Sequence, residues 1–126
     1  MINIKQELEV AKRASEIAAA LLIDNKDNIN KIISNEGRDV KLKADLESEK
    51  VIKDYLLANS NFPILAEESG DNQDLGNSFW VVDPLDGTSN YSRDFPMCCI
   101  SLALIHEHEI TLGVINDFNR GSLYEG

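Results

Sequence analysis

Cysteine, proline and basic residues are scarce in this chain of 126 residues, and each scarcity excludes something. The only two cysteines, Cys98 and Cys99, are adjacent. Neighbouring side chains on a strand point to opposite faces, so the pair cannot build a disulfide framework, and it points to the reducing cytoplasm. Three prolines and seven glycines are too few for a linker-rich or low-complexity protein. Lysine and arginine number 12 against 22 aspartates and glutamates, a formal charge of −10. That balance repels a nucleic-acid backbone, and no basic stripe interleaved with aromatics offsets it. No apolar run approaches the ~18 residues of a membrane span, and the N-terminus lacks a basic region followed by an apolar stretch. Nucleic-acid polymers and membranes are thereby set aside as partners.

What remains is a 43% hydrophobic sequence, read as one globular domain over residues 1–126. Ile4, Leu8, Ala11, Ala14, Ile17, Ala18 and Leu21 recur at helical spacing and predict an amphipathic helix from Ile4 to Ile23. Asp24 to Asn30 reads as a polar break and Asn35-Glu36-Gly37 as a turn, with a short strand at Val40 and Leu42. A second helix is expected from Asp45 to Ala58, with Asp45 as its N-cap. After Pro63 the period changes to that of strands: Ile64–Ala66, Phe79–Val82, then Cys98–Ile105 and Ile110–Asn116 paired across His106-Glu107-His108-Glu109. Asp71 to Asn77 reads as a polar loop, and Asn119-Arg120-Gly121 as a hairpin turn leading to Ser122–Tyr124. Helices over residues 4–58 followed by sheet and loops over 63–126 predict an α+β fold with helices covering an antiparallel sheet.

The most informative stretch is Trp80-Val81-Val82-Asp83-Pro84-Leu85-Asp86-Gly87-Thr88-Ser89-Asn90. An apolar strand stops on Asp83, and Asp-Pro turn chemistry is expected to fold Asp83 and Asp86 onto one locus. Two hard oxygen ligands at a strand end, followed by small residues with free N–H groups, suit a magnesium ion and a phosphate. An acidic protein that handles phosphate needs a local positive charge, and bound metal supplies one. Taken alone, the stretch also fits an ordinary loop with one Asp in a turn and another capping a helix. Glu67-Glu68-Ser69, after the apolar Ile64-Leu65-Ala66, favours the site. The His-Glu-His-Glu segment reads as a solvated hairpin tip, and the cysteines and Trp80 as core.

These residues resemble a known family. Glu67-Glu68-Ser69 and the block from Trp80 to Asn90 are similar to the two N-terminal signatures of the inositol monophosphatase superfamily, which are magnesium-dependent, lithium-sensitive phosphatases. Phe95-Pro96 and Gly113-Val114-Ile115 also fall where that family has equivalents. The resemblance implies a layered helix and antiparallel-sheet sandwich, here apparently truncated after the first sheet. It implies two or three Mg2+ ions held by Glu67, Asp83, the Leu85 carbonyl and Asp86. Glu67 would also orient the attacking water, helped by the Thr88 hydroxyl and by Asp45. Asp86 and the backbone N–H groups of Gly87 and Thr88 would hold the phosphate. The implied substrate is a small phosphorylated metabolite such as inositol monophosphate; a nucleotide 3′-phosphate and fructose 1,6-bisphosphate are the alternatives.

Two departures qualify the resemblance. Before Asp45 the family often has Val-Thr-x-x-Asp, where this chain reads Val40-Lys41-Leu42-Lys43-Ala44-Asp45. The family's further metal-binding Asp, in a Trp-Asp-x-Ala-Ala-Gly type motif of the second half, has no counterpart here. The 126 residues by themselves are therefore expected to be catalytically silent and to form a homodimer or self-associate, and a non-catalytic module that binds metal or a partner chain is the rival reading. The haloacid-dehalogenase phosphatases offer another, but their Asp-x-Asp-Gly-Thr motif is one residue shorter than Asp83-Pro84-Leu85-Asp86 and leaves Glu67-Glu68-Ser69 unexplained.

Overall fold

The apolar stripe near the N-terminus forms helix α1, Ile4–Asp24, which buries Val10, Ala11, Ala14, Ala18 and Leu22. Asn3 caps it by accepting a hydrogen bond from the Gln6 N–H at 3.1 Å. The computed structural model describes residues 2–36, 39–66 and 75–126; the side chains of 34–36 and 39–41 lie outside that description. The segment expected to be a polar break holds a short helix, α2 (Lys26–Ile29). Strand β1 (Ile32–Glu36) follows and pairs antiparallel with β2 (Asp39–Leu42). Asn35 and Glu36 thus lie in a strand where a turn was expected, because β2 supplies the pairing that their local propensity lacks. Gly37 of that expected turn lies outside the described residues.

Helix α3 runs Lys43–Asn59 and begins earlier than Asp45. Its N-cap position is Leu42, and Asp45 sits at the third helical position. From there the Asp45 carboxylate accepts a hydrogen bond from the Leu42 N–H at 2.8 Å. It is the reach-back half of a capping box, not the N-cap residue itself.

The strands β3 (Ile64–Ala66), β4 (Phe79–Asp86), β5 (Cys99–His106), β6 (Glu109–Asp117) and β7 (Ser122–Glu125) form one sheet in chain order. The layered α+β arrangement is the expected one. The sheet is mixed, however, because β3 runs parallel to β4 while the other pairs are antiparallel. The β5–β6 hairpin turns on Glu107 and His108, both at positive φ (52° and 67°), the backbone that a tight two-residue hairpin needs.

Alternation along the strands sends Trp80, Val82, Ile100, Leu102, Leu104, Leu112 and Val114 into the core beneath the helices. The opposite face is open, and Leu65, Ile110, Ile115 and Tyr124 are exposed on it. Among the described residues, no helix is long and apolar enough to cross a membrane. Trp80 is the largest fully buried side chain, and its indole N–H donates to Ser60 Oγ at 3.0 Å. Trp80→Ala is expected to remove ~3–5 kcal/mol of stability, read as a lower midpoint in urea unfolding; a shift under 1 kcal/mol would contradict this packing.

Candidate metal and phosphate site

Strand β4 does not stop at Val82 and turn, as its sequence suggested; it continues through Pro84 to Asp86. It does so with an irregularity. Asp83 is paired with Ser101 and Asp86 with Cys99, so β4 advances three residues where β5 advances two. One extra residue is a bulge, and a bulge is where a sheet tolerates a proline that has no N–H to donate. The consequence is geometric. Residues three apart on a regular strand face opposite ways, but cross-strand partners share a face. Ser101 and Cys99 lie on the open face of β5, so the bulge brings both carboxylates onto that face. Pro84 and Leu85 are buried instead.

The corner is held from several sides. The Ser48 hydroxyl of α3 donates to the Pro84 carbonyl at 2.7 Å. The Leu85 N–H donates to Asp83 Oδ1 at 3.3 Å. Gly87 follows with φ 90°, and a Cβ there would lie 2.7 Å from the Met97 carbonyl oxygen and 3.1 Å from Cys98 Cβ. Only glycine fits, in conformation and in space. The chain then enters a short helix, α4 (Thr88–Ser92). Asn90 braces the far side, donating from Nδ2 to the Met97 carbonyl at 2.8 Å. The Ser48 contact has no sequence signal, since it joins α3 to a segment 36 residues away; the Asn90 contact spans only seven residues but has no motif of its own.

Asp45 reaches this corner from α3. Its side chain is 2% exposed. One oxygen accepts from the Leu42 N–H and the other from the Thr88 hydroxyl at 2.8 Å. The Leu85 carbonyl lies 3.2 Å from the same hydroxyl; a hydroxyl has one proton, and the shorter, charged acceptor takes it. Hydrogen bonds thus tie Asp45 to Thr88 and Leu85 to Asp83 at one corner, with Asp86 and Gly87 between them in the chain. Glu67, with Glu68 and Ser69, lies outside the described residues. Ala66, the last residue of β3, is in register with Val82, one residue before Asp83. Part of the expected Asp71–Asn77 loop, residues 71–74, also lies outside them.

Asp83 is half-buried and Asp86 exposed. Among the described residues, no lysine or arginine pairs with either. The Cys99 thiol beside them is pushed up to about 11, first by burial and then by the negative charges of Asp86 and Asp83. Two uncompensated carboxylates acting on one locus, with a backbone carbonyl near, form a hard-oxygen donor set that fits a magnesium or calcium ion. Among the described residues, no third Asp, Glu, His or Cys joins them to complete such a group. His106 Nδ1 is 2.9 Å from Ser78 Oγ at the hairpin. Cys98 is buried and Cys99 half-buried, as alternation predicts.

Comparison with known proteins gives the site its context. The sequence model of the inositol monophosphatase family matches residues 3–126. The chain belongs to the inositol monophosphatase family. It is 37% identical over 123 residues to the Nus factor SuhB of Xylella fastidiosa, covering 95% of this chain and 44% of that protein. It is 33% identical over 126 residues to the inositol-1-monophosphatase of Synechocystis, covering 97% and 44%. A solved IMPase/NADP phosphatase complexed with Mg2+ and phosphate superposes with a TM-score of 0.86 at 21% identity, over 98% of this chain and 48% of that one. That last likeness concerns the fold. The chain spans less than half the length of the curated relatives it matches.

Gly87→Ala tests the corner directly. The substitution combines a strained positive φ with a contact at 2.7 Å. It is expected to cost at least ~1–3 kcal/mol, measured by thermal or urea unfolding. Unchanged stability would contradict the geometry described for Gly87.

Proposed function

We propose that this chain carries the metal- and phosphate-binding end of a magnesium-dependent hydrolase of small phosphomonoesters. Inositol monophosphate is the leading substrate, with nucleotide 3′-phosphates and fructose 1,6-bisphosphate as alternatives within the superfamily. The observation that carries the reading is the bulge that sets Asp83 and Asp86 on one face beside Gly87 and Thr88. Glu67, Asp83, the Leu85 carbonyl and Asp86 would hold two or three Mg2+ ions. When bound, such ions lower the pKa of a water, neutralise phosphoryl charge and stabilise the leaving alkoxide.

The chain's own residues do the positioning. Asp45 takes the Thr88 proton in a hydrogen bond, so the lone pairs of the Thr88 oxygen remain to orient a water. Glu67 would accept the second hydrogen bond of that water. The N–H groups of Gly87 and Thr88 would bind the phosphate oxygens, where Gly87 lets the backbone come close. No covalent nucleophile is needed, because positioning and charge stabilisation supply most of the catalysis in phosphoryl transfer.

The relatives' remaining length bears on activity. Magnesium needs near-ideal octahedral geometry and dehydrates reluctantly, so a site short of one carboxylate holds it loosely. The 126 residues alone therefore bind magnesium weakly, and they associate through the exposed apolar residues of the open sheet face. Two free cysteines suit a reducing compartment, the cytoplasm.

The experiment is a magnesium titration of the 15N-labelled chain, followed by a phosphatase assay with inositol monophosphate. Millimolar magnesium is expected to shift the amides of Asp83, Asp86, Gly87 and Thr88, and Asp86→Asn is expected to abolish the response. Turnover by the 126 residues is expected to fall far below the ~1–10³ per second of ordinary enzymes. Amides indifferent to magnesium in the unsubstituted chain would overturn the metal site. Turnover in the ordinary range from a monomer would overturn the need for further ligands.

A further inference from the structure

Helix α4 closes on a residue other than glycine in the left-handed region. The Phe95 N–H donates to the Asn90 carbonyl at 2.7 Å, and the Asp94 N–H to the Tyr91 carbonyl at 3.2 Å. Those two bonds make a Schellman closure, whose turning residue is usually glycine. Here it is Asp94, at φ 61°, a conformation that costs an L-residue free energy. The segment that leaves this turn borders the phosphate corner. Three residues on, the Met97 carbonyl accepts from Asn90 Nδ2 at 2.8 Å, and the same oxygen lies 2.7 Å from where a Cβ on Gly87 would stand. Asp94 thus sets the path of the backbone that walls Gly87.

Lys26, the first residue of α2, grips this closure at two points. Its ammonium pairs with the Asp94 carboxylate and sits 4.5 Å from the centroid of the Tyr91 ring. An ion pair to a side chain as exposed as Asp94 (81%) stabilises little by itself. The ring contact adds to it, and the Lys26 side chain, 29% exposed, is held between the two partners. Other bonds tie the body of α4 to the helical layer. The Tyr91 hydroxyl donates to the Leu22 carbonyl, and Asn30 Nδ2 donates to the Ser92 carbonyl at 3.3 Å. Neither touches Asp94.

We infer that Lys26 is a positioning residue for the phosphate corner: by holding Asp94 in its left-handed turn, it keeps the backbone from Phe95 to Met97 closed against Gly87. The inference rests on the phosphatase reading above for its ligand, and it adds to that reading a residue from outside the corner. Lys26 acts through Asp94 and not by contact with the anion. The energies involved are small, so the effect is on a population. Without the ammonium, open turns compete with the left-handed one at Asp94, and the fraction of chains with a formed corner falls. The apparent affinity for an anion falls by the same factor. Asp94→Gly removes the conformational cost of the turn and makes the lysine dispensable.

The test is an amide-resolved NMR titration of the chain in magnesium with inorganic phosphate, following Gly87, Thr88 and Ser89. Lys26→Met is expected to weaken phosphate by about fivefold, with the urea midpoint nearly unchanged. Lys26→Arg keeps both the ring contact and the ion pair, and is expected to restore the affinity. In an Asp94→Gly background the same Lys26→Met change is expected to leave phosphate affinity unaltered. Equal weakening in both backgrounds would mean that Lys26 acts only by attracting the anion, and would overturn the inference. So would an unaltered affinity in Lys26→Met alone. If phosphate moves none of the three amides in the unsubstituted chain, the phosphatase reading itself fails. Hydrogen exchange at the Phe95 amide then decides the role of Lys26: faster exchange in Lys26→Met, reversed by Lys26→Arg, sustains its hold on the closure, and unchanged exchange overturns it.

Discussion

One extra residue in β4 governs the site. Strand geometry alternates with a period of two, and Asp83 and Asp86 are three apart in sequence, so a regular strand would split them across the sheet. The bulge against Ser101 and Cys99 removes that split. Everything nearby is arranged to hold it: Pro84 gives up a donor where the ladder is broken, Ser48 anchors the Pro84 carbonyl, and Gly87 turns the chain where a side chain would strike Met97. Among the described residues no lysine or arginine pairs with either carboxylate, and anything that binds the folded chain there would stabilise it.

The cluster also couples the two layers of the fold. Asp45 belongs to α3 and Thr88 to α4, and their hydrogen bond joins the helical layer to the loop leaving the sheet. The same carboxylate closes the start of α3 through the Leu42 N–H. Tyr91, one turn beyond Thr88, donates to the Leu22 carbonyl of α1 at 2.6 Å and ties α4 to the other helix. Burial is the main reason its phenol is pushed up to about 12, so that bond persists across ordinary pH. Rigid support from three directions is what a positioning site requires.

Much of this was legible in the sequence because the periodic signals are strong where packing decides. The apolar spacing of α1, the strands β5 and β6 and the hairpin between them follow from period alone. The glycine after Asp86 and the oxygen-rich block marked the corner where the candidate site is placed. The missed features depend on long-range partners. Strand β1 has strand formers only at Ile32 and Ile33, and its Ser34-Asn35-Glu36 half exists through β2, while the parallel pairing of β3 with β4 depends on a crossover that no local pattern specifies. Asp-Pro reads locally as a turn, and only the register with β5 reveals a bulge. Asp45 read as an N-cap since its type fits that role; its third-position placement depends on where the preceding strand ends.

The central claim is that Asp83 and Asp86 form one divalent-cation site with Glu67. Diffraction from crystals grown with magnesium measures it most directly, because it reports ligand identity and distance together. The account predicts an ion with carboxylate oxygens of Asp83, Asp86 and Glu67 at ~2.0–2.1 Å. An occupied magnesium site elsewhere, with Glu67 turned away from the Asp83 bulge, would contradict it.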